Sequence, residues 1–157
     1  MFFLPTIKSL NPKLKIHLLC LSKGGKDGVR TNELVSSAEF LGISKLKISE
    51  TNYFVDGLKE KWPHSKIRKT VEDYITKNGI KNVITFDENG VSNHPNHIDI
   101  FKAISKSDFF VENKVSLFKL KTVNSLQKYI FFIEFPFTIL SKLWNFDEDN
   151  FTLFYKV

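Results

Sequence analysis

The chain has 157 residues, 42% of them hydrophobic and 25% charged, a balance that suits one globular domain over 1–157 with a buried core and excludes a disordered chain. Its net charge of +6 favours anionic partners such as a phospholipid surface, but the lysines are scattered and form no basic run interleaved with aromatics, so no nucleic-acid partner is expected. A single cysteine, Cys20, excludes an internal disulfide.

No signal-peptide pattern develops at the start, because Pro5 follows the apolar Met1 to Leu4. The apolar residues of Phe2 to Leu10 fall on a helical spacing that Asn11-Pro12 breaks. Lys15 to Leu21 reads as a short strand, and its nearly continuous apolar run, Cys20 included, predicts burial on both faces. Ser22 to Gly28 is a loop with three glycines. Arg30 to Leu41 is predicted as a helix with Leu34, Ala38 and Leu41 on one stripe and Gly42 as its C-cap. A strand over Leu46 to Ile48 leads into a loop from Ser49 to Pro63. Lys66 to Lys77 is predicted as a helix with Ile67, Val71 and Ile75 stacked at spacing four, closed by Asn78-Gly79.

Val83 to Phe86 is the next strand, followed by a polar loop over Asp87 to Asn93. A helix then starts at His94 or Pro95, where proline suits the first turn. Leu117 to Leu120 and Phe151 to Tyr155 read as further strands. The longest apolar segment, Tyr129 to Trp144, is shorter than the roughly 20 residues of a spanning helix. Glu134 and Pro136 interrupt it, and it is expected in the core. Strands alternating with helices argue an α/β fold with a largely parallel sheet, whose chemistry lies in loops at the carboxyl ends of strands. The loops at 22–30, 49–58 and 87–97 all follow predicted strands.

The most informative stretch is Thr85 to His97, reading TFDENGVSNHPNH. His94 and His97 fall on one face of a first helical turn. The partial positive charge of a helix N-terminus disfavours imidazolium, and neutral imidazole is the form that binds metal. By spacing alone, two such histidines are more often surface or capping residues. Asp87 either orients one of them as a hydrogen-bond acceptor or makes the turn with Asn89-Gly90. His17, inside a strand, reads as a core or edge residue, and His64, after Pro63, as exposed.

This stretch resembles the second signature of the LmbE-like deacetylases, specifically their PIG-L branch. Further matches follow in order along residues 1 to 145. Met1 to Thr6 resembles the segment after the family's first signature, and Leu18 to Gly24 its second strand and loop. Gly28-Val29-Arg30-Thr31-Asn32-Glu33-Leu34 resembles its G-x-x-R-x-x-E-L helix start. Phe54-Val55-Asp56-Gly57 resembles its substrate loop, and Val123 to Leu140 its C-terminal part around Lys128-Tyr129. The loop at 22–28 lacks the G-x-G-x-x-G of a dinucleotide-binding domain.

The resemblance implies a Rossmann-like, three-layer α/β hydrolase using zinc or a similar divalent ion. It makes His97 the metal ligand and places His94 beside the scissile amide, as oxyanion stabiliser or proton donor to the amine. It gives Arg30 and Asp56 to the sugar; without it, Arg30 reads as a helix-start partner of Glu33 and Asp56 as a turn former. It implies a glycosylated phosphatidylinositol as substrate, second-step chemistry of glycolipid-anchor synthesis, and a site at the cytoplasmic face of the endoplasmic reticulum membrane. It also puts the His-Pro-Asp-Asp-Glu signature, with two metal ligands and the base, and the sheet's first strand ahead of the residue matching Met1. The polypeptide as written is therefore expected to bind metal weakly at most and to be inactive, leaving a sugar-lipid binding remnant, or a deacetylase of another small N-acetylglucosaminide, as alternative readings.

Overall fold

The computed structural model describes residues 3–10, 14–24, 29–122 and 154–156. Helix α1 covers Leu4–Leu10, and strand β1, His17–Cys20, pairs in parallel with β2, Lys45–Ile48, in the register His17 to Lys45 through Cys20 to Ile48. Helix α2, Val29–Phe40, joins them, so β1-α2-β2 is a parallel crossover unit. Gly42, at φ 64°, closes α2: its N–H reaches Glu39 O and that of Ile43 reaches Ala38 O, both at 2.9 Å. Helix α3, His64–Asn78, is stopped in the same way by Gly79 at φ 62°. It begins earlier than its apolar stripe predicts, because the polar first turn carries no stripe residue.

Strand β3, Asn82–Phe86, leads through a helical turn, α4 (Gly90–Asn93), into α5, Pro95–Ile104. A short helix α6, Phe109–Glu112, precedes β4, Ser116–Leu120, which lies parallel to β3. Strand β5, Phe154–Lys156, runs antiparallel to β4. The chain is thus α/β, with parallel pairs where the alternation of elements predicts them. One expectation changes: the described strands form two sheets, β1-β2 and β3-β4-β5, rather than one. A second concerns β1, whose four residues are half-buried rather than buried on both faces. An apolar run gives a strand's composition but not what covers its faces. The apolar segment 129–144 and the resemblance over 123–140 lie outside the described residues.

The core sits between α3, α5 and the β3-β4 sheet. Ile67, Val71 and Ile75 of α3 pack with Ala103 and Ile104 of α5, Phe110 of α6 and Leu117 of β4. Ile67 and Ala103 are fully buried; burying an isoleucine side chain stabilises by about 1.5–3 kcal/mol. Arg68 Nε donates to Ala103 O at 2.9 Å, tying the middle of α3 to the carboxyl end of α5. This packing makes α5 a fixed post, and its N-terminal end carries both histidines of the informative stretch, His94 as N-cap and His97 in the first turn. No helix among the described residues is long and apolar enough to cross a membrane.

Candidate functional site

The site begins in the backbone of the loop after β3. Gly90, Val91 and Asn93 have φ of 57°, 64° and 56°, so α4 winds through the left-handed region. Glycine tolerates this, whereas a β-branched residue such as Val91 does so only against strain. A Cβ on Gly90 would lie 3.0 Å from His97 Cβ and from Ile98 Cγ1, and 3.2 Å from Ile98 N. Only glycine lets the loop pass this close to α5. Its carbonyl meets His97 Nδ1 at 3.0 Å.

That hydrogen bond settles the tautomer of His97. A carbonyl only accepts, so Nδ1 carries the proton, and in a neutral ring Nε2 then holds the lone pair. Burial pushes the His97 pKa below the ordinary histidine value, and nearby His94 pushes the same way; the Gly90 bond and Asp56 oppose without prevailing. The ring is stacked on Phe86 at a centroid distance of 3.9 Å and an interplanar angle of 8°. His97 is therefore a neutral imidazole with its orientation fixed from below and behind.

His94 is the N-cap of α5 rather than part of its first turn, and its carbonyl accepts from the N–H groups of His97 and Ile98 at 3.1 Å. Its ring lies 4.8 Å from that of His97. Its Nε2 is 3.9 Å from Asp56 Oδ1, and its Nδ1 is buried with no hydrogen-bond partner among the described residues. The fully buried Asn96, between the two histidines, donates through Nδ2 to Asp56 Oδ1 at 3.3 Å, while its Oδ1 likewise has no partner among the described residues. Buried polar atoms are rarely left unpaired. Both of these fall within one four-residue stretch, His94 to His97.

Asp56 comes from the loop between β2 and α3, and its second oxygen is 3.7 Å from Arg30 Nη1 at the start of α2. The Arg30 side chain is 71% exposed, so the pair adds less than about 1 kcal/mol of stability and the guanidinium remains available to a ligand. Arg30 thus faces Asp56, and Asp56 in turn faces His94 and Asn96. Arg30, Asp56, His94 and His97, singled out from the sequence and drawn from three separate segments, meet in space.

Asp87 takes the turn-making alternative. It is buried, and its carboxylate accepts from Asn89 N at 3.1 Å, from Thr122 N at 2.5 Å and from Thr122 Oγ1 at 2.6 Å. Burial raises its pKa, but these hydrogen bonds outweigh it and hold the carboxyl below the ordinary aspartate value. Thr122 Oγ1 accepts from Val91 N at 2.9 Å, so Asp87 braces the left-handed turn, and the acceptor on His97 Nδ1 is the Gly90 carbonyl. His17 is half-buried, its Nδ1 3.4 Å from the Tyr74 hydroxyl. His64, expected to be exposed, starts α3 and places Nε2 3.2 Å from Asp99 Oδ1. Asn96, Phe86, Gly90 and Asp99 escape sequence reasoning; the signal for Asn96 is its place between two histidines in a first helical turn.

The family model of PIG-L, described as GlcNAc-PI de-N-acetylase, matches residues 1–107. The chain belongs to the PIG-L family. Among relatives, a fission yeast protein (Schizosaccharomyces pombe) named probable N-acetylglucosaminyl-phosphatidylinositol de-N-acetylase is 38% identical over 85% of this chain and 56% of its own length. A Dictyostelium discoideum protein of the same name is 32% identical over 96% of this chain and 70% of its own. The bovine N-acetylglucosaminyl-phosphatidylinositol de-N-acetylase is 34% identical over 89% of this chain and 58% of its own. The chain spans little more than half the length of the yeast and bovine PIG-L relatives.

A neutral His97 with Nδ1 held by a carbonyl has the arrangement of a metal-ligating histidine, whose other nitrogen is usually fixed in this way. Yet among the described residues no group of three or more His, Cys, Asp or Glu side chains could hold an ion. A catalytic zinc takes three protein ligands, so the described donors do not complete a metal site.

Proposed function

We propose that this chain carries the sugar-facing half of a PIG-L deacetylase site. The reaction is hydrolysis of the N-acetyl group of N-acetylglucosaminyl-phosphatidylinositol, in which water and the amide give acetate and glucosaminyl-phosphatidylinositol. The observation that carries the reading is the convergence of Arg30, Asp56, His94 and His97 from three separate segments within a chain whose relatives bear that activity in their names.

Arg30 and Asp56 together offer donors and acceptors to sugar hydroxyls, and Arg30's fork suits adjacent oxygens. His94, beside Asp56, stabilises charge on the acetyl oxygen or delivers a proton to the departing amine. His97 contributes one imidazole to a divalent ion, zinc by family resemblance; further ligands must come from beyond the described residues. The substrate is a glycolipid of anchor synthesis, which places the reaction at an endoplasmic reticulum membrane surface, on the cytoplasmic side by the same resemblance.

The test measures release of labelled acetate from N-acetylglucosaminyl-phosphatidylinositol by membranes containing the native protein. His94→Ala is expected to lower the rate by about 10²–10⁴-fold, the usual contribution of a general acid, at unchanged protein level. Equal rates for variant and native protein would remove His94 from the chemistry. For the polypeptide 1–157 alone, less than one equivalent of zinc and no turnover are expected. Stoichiometric zinc with turnover would show that these residues hold the complete ligand set.

A further inference from the structure

We propose that Asp99 is a positioning residue that straps the loop between β2 and α3 to α5, and so sets Asp56 against His94; its part in catalysis rests on the deacetylase reading above. Asp99 lies on α5, two residues beyond His97. Its two carboxylate oxygens hold two points of the same loop end. Oδ2 accepts from the Trp62 backbone N–H at 3.0 Å, and Oδ1 meets His64 Nε2 at 3.2 Å. Trp62 is buried, packs on the buried Phe54 at a centroid distance of 5.1 Å, and donates its indole Nε1–H to the Val55 carbonyl at 2.8 Å. The residue after Val55 is Asp56.

The strap runs from α5 through Asp99 to Trp62, across the indole to Val55, and so to Asp56. The same helix holds the far side of Asp56 through Asn96. One rigid element thus carries His94, Asn96 and Asp99, and the loop is fastened to it on both sides of the Phe54–Trp62 contact. Apart from this, among the described residues the Asp56 carboxylate meets the 3.3 Å bond from Asn96, His94 Nε2 at 3.9 Å and the 3.7 Å pair with a mostly exposed Arg30. Neighbouring loop residues Tyr53, Val55 and Leu58 are exposed and give the tip little burial of its own. A charge-assisted acceptor for a buried backbone N–H is therefore the firmest anchor the loop has on α5.

Misplacing a substrate-positioning group by about 1 Å costs on the order of a hundredfold in rate. Asp99→Ala removes the acceptor, while Asp99→Asn keeps an oxygen for the Trp62 N–H and controls for folding. The first measurement is hydrogen exchange of the Trp62 indole and the backbone amides of 53–62 in the native protein. Asp99→Ala is expected to speed both by roughly tenfold or more with β3 and β4 unchanged, and Asp99→Asn to stay near the native rate. Exchange at the native rate in Asp99→Ala overturns the strap.

The second measurement is a double-mutant cycle with Asp56→Asn in acetate release. Asp99→Ala alone is expected to lower kcat/KM by about 10–100-fold, and by less than about threefold once Asp56 is already altered. Multiplicative losses would mean that Asp99 acts on general stability and not through Asp56. Absence of acetate release from the native protein defeats the deacetylase reading and the catalytic part of this proposal together, while the exchange result still decides the strap.

Discussion

Two glycines with nearly the same backbone conformation separate the cost of strain from the cost of a collision. Gly90 and Gly79 have φ of 57° and 62°, both left-handed. In that region alanine costs about 1–2 kcal/mol through the clash of its Cβ with the following carbonyl. Replacing glycine also makes the unfolded chain less disordered, which offsets about 0.4–1 kcal/mol. For Gly79→Ala that is the whole account, because a Cβ there has nothing within 4 Å. The expected loss is about 0–1.6 kcal/mol. At Gly90 the same Cβ meets His97 Cβ and Ile98 Cγ1 at 3.0 Å and the Ile98 backbone nitrogen at 3.2 Å. The backbone contact cannot swing aside as a side-chain tip can, so an overpacking cost of about 1–3 kcal/mol is added. Gly90→Ala is therefore expected to lose about 1–4.6 kcal/mol in total, with the His97 ring displaced from the Gly90 carbonyl. Urea unfolding at neutral pH reads both variants, and the slope is expected to stay constant so that midpoints compare directly. A Gly90→Ala loss no larger than that of Gly79→Ala would refute the close approach of this loop to α5.

Thr122→Val removes the hydroxyl that donates to Asp87 and accepts from Val91; an expected loss of about 2–4 kcal/mol at neutral pH is read from the urea midpoint. Because the folded Asp87 carboxyl is held below its ordinary value, its contribution is present above the unfolded pKa and lost as pH falls through the folded one. The variant should raise the Asp87 pKa and move this acid limb to higher pH, and an unmoved limb would mean that Thr122 does not govern the carboxylate. His97 has a depressed folded pKa, so below about pH 6.5 the unfolded chain takes up its proton first and the native state loses stability as pH falls toward the folded value. His97→Gln should flatten that slope between pH 7.5 and 5, and an unchanged slope would assign it to another group.

Much of the architecture was legible because helices and strands write their periods into the chain. The spacing-four stripe Ile67, Val71, Ile75 is the buried face of α3, and Asn78-Gly79 ends that helix as its left-handed cap requires. The candidate site was legible for a different reason. Arg30, Asp56, His94 and His97 were singled out by family resemblance, and the structure brings them together. Bare spacing left the histidines as ordinary capping residues, and one of them, His94, is an N-cap as well.

Local sequence thus determined the helix and strand types, their order, and the helix-start setting of the histidine pair, since these depend on residues a turn or two apart. Tertiary structure alone decided the rest. It chose the Gly90 carbonyl as the partner of His97, gave Asp87 to Thr122 rather than to a histidine, and tied His64 and Trp62 to Asp99. Each of these is a hydrogen bond between different elements, and its partner is set by how α5 packs on its neighbours and by backbone torsions that no local periodicity records. A residue's chemistry is written in its side chain, but the partner that turns that chemistry into a site is chosen by the packing.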